Sequence, residues 1–556
     1  MMRAPARFGW AALLAAWAVD QMFWQRTPGI SLPLWVALAL VIGLVVARSL
    51  KLRPAPLSLV LMVAALVFAS MTFLRRESFT LFINTVMSLT CLALLAATFR
   101  TGNWFFYKIG DYVVAGLRLC LMVLIRSADL FTRTPRPAPG AADAAPASET
   151  PAPLAAAGPT WKTAGQQAAP VARGLALALP IVLVLGGLLA AADPIFNNWT
   201  RDLLRIFNFS NLSEYVFRLF YIVLLAYVLA GVYIHSMQPL MLEALPNRAA
   251  RWFPPFLGWV EAVVVLGAVN LLFLVFVSIQ FWYLFGGQAN ISTSGFTYSE
   301  YAVRGFNELV MVAVLSLLLY LGIGAAATQK TTLQQKVLMI LNTLLIAQVL
   351  VILVSSFSRL RLYEDAYGFT QLRTYTHILI IWLGILLTVT IGLELSRHRH
   401  AFALVGLLAA CGFALTFGFL NVDSFIAQQN IQRSWTSTQS DGRNSGKLDG
   451  QYLSGLSDDA VPTLLAEFQR PNQPEAIKDL LGAELSCRTQ REKNAENSEL
   501  SGGWLSYNLS QATARQLLQS NQALWQAYPV VQDGRSGPAV QLKSGMHSCL
   551  LGDWMD

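Results

Sequence analysis

"SRLRLYEDAYGFTQLR" (residues 358–373) separates two long apolar runs, 336–357 and 374–395, and holds three arginines, two acids, two tyrosines and a glycine. About 20 apolar residues suffice to cross the hydrocarbon core of a bilayer. The stretch therefore reads as a short connection at a membrane surface. Its charges pose a question, because such groups are costly near lipid unless they pair or reach water.

Working outward, the rest of the chain repeats this pattern. The 556 residues are 55% hydrophobic and 13% charged, where a soluble domain carries about a quarter charged residues. That balance points to a polytopic membrane protein. The net charge of +9 divides unevenly: residues 421–556 hold 11 Lys+Arg against 15 Asp+Glu, a net of −4, which leaves +13 on the remainder. A basic membrane region with an acidic tail fits loops facing anionic lipid and argues against nucleic acid.

Apolar runs predict about 11 transmembrane helices. Four lie near 8–24, 32–50, 56–74 and 79–98, and seven near 172–192, 214–236, 255–284, 301–324, 336–357, 374–395 and 401–420. The first run has no small-residue cleavage site and reads as a retained helix. The expected fold class is all-α: a polytopic transmembrane bundle with a small, mainly helical C-terminal domain. Its expected parts are a four-helix module (1–100), an interfacial amphipathic segment (101–133, with an additional span as the alternative), an Ala/Pro-rich cytoplasmic linker (134–170), a seven-helix core (171–420) and an extracytoplasmic domain (421–556).

Lys and Arg in short loops set orientation. With the N-terminus inside, Arg48, Lys51, Arg53, Arg100, Arg248, Arg251, Lys330, Lys336, Arg397 and Arg399 fall on the cytoplasmic side, against Arg26, Arg75, Arg76, Arg201, Arg205 and the arginines of 358–373 outside, so the bias is present but incomplete. An odd number of spans then leaves residues 421–556 outside, in an oxidising compartment where Cys487 and Cys549 are candidates for a disulfide. Cys91, Cys120 and Cys411 lie in apolar stretches and read as packing residues. In the tail, Val461, Leu464, Leu465 and Phe468 share a helical face, and "NLSQATARQLLQSNQALWQAY" reads as a second amphipathic helix.

Ionisable residues near the spans are the candidate site. Glu300, Arg304 and Glu308 lie four apart, one row on a helix face where each acid faces the arginine. Arg361, Tyr363, Glu364, Tyr367 and Arg373 belong to the opening stretch, at the same expected outer level. Two readings compete. In one these are structural ion pairs and an aromatic belt. In the other they form a shallow site for a lipid headgroup or small anionic ligand, with arginine forks as donors. Asn270, Asn342 and Gln348 read as interhelical hydrogen-bonding groups, and Asp458–Asp459 as a helix cap rather than a catalytic pair. No phosphate loop, nucleophile elbow or HExxH is present. No catalytic residue, metal site or cofactor is expected, and the chain does not name a protein partner.

Three stretches carry a resemblance. "GFTYSEYAVRGFNEL" follows a TYxEYxxRGFxxL pattern. "SRLRLYEDAYGFTQLR" follows RLxLYxxxYGxTxLR. "NVDSFIAQQNIQR" with "LDGQYLSGLSDDAVPTL" follows NxDxxIAxxNxxR…LDxxYLxxLSxDAVPxL. In this order, after apolar spans, they resemble the bacterial membrane family known as domain of unknown function 4173, with family 4153 as its near relative. "GWLSYNLSQATA" departs from that form, with Tyr507 where a second tryptophan is expected. The resemblance spans roughly 172–530 and implies no activity or catalytic residue. The expectation is a bacterial inner-membrane protein acting without catalysis in sensing, scaffolding or envelope signalling. The alternatives are a transporter of a small solute or lipid and, behind it, a membrane-embedded transferase.

Overall fold

Leu-, Val- and Ala-rich runs fold as helices in lipid because a helix satisfies every backbone polar group within its own segment. The computed structural model describes residues 4–132, 212–237, 256–285, 306–440, 448–496, 503–533, 537–543 and 545–550. The helices are α1 (Ala4–Phe23), α2 (Ser31–Ser49), α3 (Pro56–Leu74), α4 (Ser78–Thr98), α5 (Ile109–Thr132), α6 (Leu212–Met237), α7 (Trp259–Phe285), α8 (Phe306–Ala326), α9 (Thr332–Tyr367), α10 (Gln371–Leu395) and α11 (Phe402–Phe419). Among the described residues nine, α2–α4 and α6–α11, are long and apolar enough to cross a membrane. The protein is thus an all-α, multi-pass membrane protein. Of the expected runs, 8–24 forms α1, which is not among the nine, and 172–192 lies outside the described residues. The chain divides into two compact units, Met1–Ala128 with Leu225–Asp556, and Asp129–Leu224.

The opening stretch is mostly helix, not loop. α9 has 36 residues, about 54 Å at 1.5 Å per residue, whereas the hydrocarbon core is about 30 Å. Its charged final turns therefore project beyond lipid, which resolves why arginines and acids follow so apolar a run. The helix stops at Gly368, whose φ of 85° is open to glycine and strained for other residues. A Cβ there would lie 2.8 Å from Asn430 Oδ1 and 2.9 Å from an Arg433 nitrogen.

Turn contacts sort the loops onto two ends of the bundle. At one end Ile30 N–H donates to Tyr507 O at 2.9 Å, and Asn508 Nδ2 donates to Thr72 O and Arg75 O at 3.0 and 2.8 Å. The α1–α2 turn, the α3–α4 turn and the C-terminal domain therefore share that end. At the other end Ala55 N–H bonds Phe99 O, and Leu257 pairs with the α8–α9 turn through Ala326 O and Thr328 N–H. α11 packs Ala414 against Ala65, Phe68, Ala69, Met87 and Cys91 of α3 and α4, so these helices share one apolar core. A second core joins α8, α9 and α10 through Ala313, Ile346, Val349, Leu353 and Leu383.

Beyond α11 the chain leaves the membrane as α12 (Val422–Ser440), followed by α13 (Gly450–Gly455), α14 (Val461–Phe468), α15 (Glu475–Glu496) and α16 (Leu509–Ser520). The core of this domain is Ile426, Ile431, Leu453, Leu464, Leu481, Leu485 and Trp525, and it runs without a break into Phe417 and Ile378 of the membrane helices. Three antiparallel strands follow, β1 (Val530–Asp533), β2 (Gly537–Leu542) and β3 (Gly545–Ser548), with Val530 opposite Val540 and Ala539 opposite Ser548. Cys487 on α15 is bonded to Cys549 at the end of β3, with Cα atoms 5.1 Å apart.

Candidate functional site

Where the C-terminal domain meets the helix ends, several buried carboxylates take up positions that a chain acid rarely occupies. Asp459, 1% exposed, accepts the backbone N–H groups of Arg76 and Glu77 at 2.8 and 2.9 Å. Its second oxygen has no hydrogen-bond partner. Glu77 caps α4 by accepting from Phe79 and Thr80 N–H, and the Tyr375 hydroxyl donates to the same carboxylate. Asp423, fully buried, accepts Gln371 Nε2 and Ser457 N–H, each at 2.7 Å. The Gln371 N–H in turn donates to the Tyr452 hydroxyl at 2.8 Å, and Asn421 Nδ2 donates to Asp459 O at 2.8 Å. These bonds form one polar seam between the membrane helices and the C-terminal domain. Burial pushes the Asp423 carboxyl up, with Glu77 adding to it and the bonds from Gln371 and Ser457 opposing it. Burial likewise drives the Tyr452 hydroxyl up to about 12, so it stays a neutral acceptor.

A pocket of about 350 Å³ opens at this seam, walled by Arg76, Gln371, Asp423, Ser457, Asp458 and Arg491 among others. Its floor is held by a buried ion cluster on α15. Glu484 accepts Arg488 Nε at 2.7 Å and Arg491 at 3.1 Å on one oxygen, and Ser454 Oγ at 2.6 Å on the other. His547 Nε2 lies 3.2 Å from that second oxygen. Burial alone would raise this carboxyl, but Arg488, His547, Arg491 and Ser454 outweigh it and hold it at about 2. Arg488 spends its remaining donors on the carbonyls of Leu453, Leu456 and Ser457, which fixes the loop that lines the pocket. The disulfide lies one turn away from Glu484 and ties the β-hairpin to the same helix face.

Of the residues singled out in the sequence, those of the α9–α10 corner lie beside this seam. Arg373 stacks over the Tyr363 ring at 3.9 Å and donates to Gly368 O. Tyr367 meets Tyr363 edge to face with centroids 5.2 Å apart, and is 55% exposed. Glu364 is buried, with His377 Nδ1 3.2 Å from it. Arg361 and Glu308 are exposed, while Glu300 and Arg304 lie outside the described residues. Asn430 brackets Phe369 through both its N–H and C=O, and Arg433 reaches Ala366 O at 3.1 Å, so the α9–α10 corner is clamped to α12. In the membrane, Asn270 Nδ2 bonds Leu266 O and Leu341 O, and Gln348 Nε2 bonds Asn270 O. The bonds to Leu341 and from Gln348 link α7 to α9, while the bond to Leu266 stays within α7. Among the described residues no group of His, Cys, Asp and Glu is placed to hold a metal ion.

Asp458–Asp459 is not a simple cap for its own helix. Ser457 caps that short turn, and Asp459 reaches a turn 382 residues earlier in the chain. No local pattern marks that pairing. The one available signal is that Asp423, Tyr452, Ser457 and Asp459 all fall on fixed positions of the NxDxxIA and LDxxYLxxLSxDAVP patterns.

No curated protein and no solved structure matches the chain. A family model described as a domain of unknown function, DUF4153, matches residues 61–467, the near relative of the family whose motifs the sequence resembles. That span runs from α3 to the end of α14 and so contains the membrane side of the seam together with Asp423, Ser457 and Asp459. The chain belongs to the DUF4153 family.

Proposed function

We propose that the protein sits in a bacterial cytoplasmic membrane, N-terminus inside and residues 421–556 outside, and acts without catalysis as a sensing, scaffolding or envelope-signalling protein. Its outer domain would report its state to the helix ends. The observation that carries this reading is the polar seam, in which Asp459 holds the Arg76 and Glu77 amides and Asp423 holds the Gln371 side chain. Charged partners buried across a junction restrict it to a small number of arrangements, because a slipped arrangement leaves them unpaired.

Orientation is supported by charge and by redox chemistry. Arg48, Lys51, Arg53, Arg100, Lys330, Lys336, Arg397 and Arg399 cluster at the bundle end away from the outer domain, as a cytoplasmic end would carry them. The Cys487–Cys549 bond suits an oxidising compartment. In this reading Glu300, Arg304, Glu308, Arg361 and Tyr367 meet lipid headgroups, and Tyr363, Glu364 and Arg373 brace the corner that supports the seam.

The test perturbs the outer domain and reads the membrane turns. Reducing the disulfide in full-length protein in native-lipid nanodiscs should raise amide exchange at residues 72–80 as well as at 480–550. Exchange confined to 480–550 would remove the coupling, and solute uptake by reconstituted vesicles would replace this reading with a transporter.

A further inference from the structure

Not every charge lining the seam pocket is committed. Glu77 is taken by the α4 amides and Tyr375, Asp423 by Gln371 and Ser457, Arg488 by Glu484 and three carbonyls, and Glu492 by Arg515 at 3.0 Å. Arg76 and Asp458 line the same pocket, yet among the described residues neither side chain has an ion-pair partner within 4 Å. Arg491 bonds Glu484 and Ser454 O and also feels the Asp458 charge. Arg76 and Asp458 thus line a shared space of about 350 Å³ without an ion-pair partner, within the range of small-molecule sites, about 300–1,000 Å³.

The lining is close to charge balance, with Arg76, Arg488 and Arg491 against Glu77, Asp423, Asp458 and Glu492. A purely anionic ligand would meet four carboxylates at short range, and a purely cationic one three guanidinium groups, each repulsion strengthened by the partly dehydrated wall. A ligand carrying both signs meets neither problem. We propose that the seam pocket binds a small zwitterion, its phosphate or carboxylate group against Arg76 and its ammonium group against Asp458. Guanidinium forks match such oxyanions bidentately, and a carboxylate accepts from all the protons an ammonium presents. The walls belong to both the α3–α4 turn and α15, so an occupant bridges the two sides of the seam. This deepens the proposed sensing role and rests on it. The same chemistry is presented by a zwitterionic phospholipid headgroup and by a free soluble zwitterion.

The experiment uses the full chain in nanodiscs of phosphatidylcholine and phosphatidylglycerol, with sn-glycero-3-phosphoethanolamine as probe in calorimetric titration. Saturable binding is expected, at least 10-fold tighter than that of glycerol 3-phosphate or ethanolamine, which each carry one half of the charge pattern. Arg76→Gln and Asp458→Asn should each weaken it at least 10-fold while amide exchange in α15 stays native, which separates lost binding from lost folding. If nanodiscs containing phosphatidylethanolamine abolish probe binding, the occupant is a lipid headgroup; if they leave it unchanged, the occupant is soluble. Absence of probe binding, equal binding of glycerol 3-phosphate, or indifference to both substitutions overturns the proposal. Should the probe fail while disulfide reduction still changes exchange at 72–80, the ligand is wrong and the coupling stands.

Discussion

Replacing Asp459 with alanine strips the acceptor from the Arg76 and Glu77 amides, bonded at 2.8 and 2.9 Å in a buried setting. An orphaned buried donor costs about 1–3 kcal/mol, so two of them set a gross loss of about 2–6 kcal/mol. Removing a buried carboxylate whose other oxygen lacks a partner returns part of that. A net loss of about 3 kcal/mol remains, about a hundredfold rise in opening of the seam at 1.4 kcal/mol per decade. Asp459→Asn keeps a carbonyl acceptor and loses only charge assistance, so it should cost about 1 kcal/mol. Hydrogen exchange on the full-length protein reads both variants at residues 72–80 and 456–464. If Asp459→Ala leaves exchange of the α3–α4 turn within threefold of native, Asp459 does not hold the junction and the reasoning fails.

Three further outcomes follow from the same geometry. Gly368→Ala forces a Cβ into the left-handed region and against Asn430 and Arg433, and should destabilise the α9–α10 corner by about 1–3 kcal/mol, seen as a lower melting temperature. Tyr452→Phe leaves the Gln371 amide without its acceptor and should cost about 1–2 kcal/mol, with exchange rising at the start of α10 and nowhere in α7. Glu484, held at about 2 against an ordinary 4.5, contributes about 3 kcal/mol to the C-terminal domain. A depressed carboxyl stabilises above its unfolded value, so that contribution is complete above about pH 5 and is lost as pH falls from 4.5 towards 2. Exchange of α15 amides, corrected for intrinsic rate, should report this loss, and Glu484→Gln should flatten the dependence.

The membrane helices were legible because lipid imposes one rule on every backbone group, and runs such as 374–395 display compliance directly. The end of α9 was less legible. Its charges read as a loop, because composition signals the lipid boundary while the helix continues through water to the glycine at 368. The three strands within "VVQDGRSGPAVQLKSGMHS" sit in a tail whose composition reads as mainly helical. Their stability comes from packing Val540 and Leu542 on Ala483 and Cys487, a contact with no local signature. The seam was the least legible of all. Asp459 and Glu77 are far apart in sequence, and α15, "EAIKDLLGAELSCRTQREKNAE", buries Glu484 and Arg488 where a surface helix would expose them. Only the folded arrangement shows that these charges satisfy one another.

The C-terminal domain shares one end of the bundle with the α1–α2 and α3–α4 turns, opposite the α8–α9 turn, and we propose that this end is extracytoplasmic. In a background with Cys91, Cys120 and Cys411 replaced by serine, Ala527→Cys and Lys330→Cys each place one thiol on an exposed position. A membrane-impermeant maleimide applied to intact cells should label Ala527→Cys at once and Lys330→Cys only after permeabilisation. The reverse pattern, or labelling of both from outside, contradicts the account.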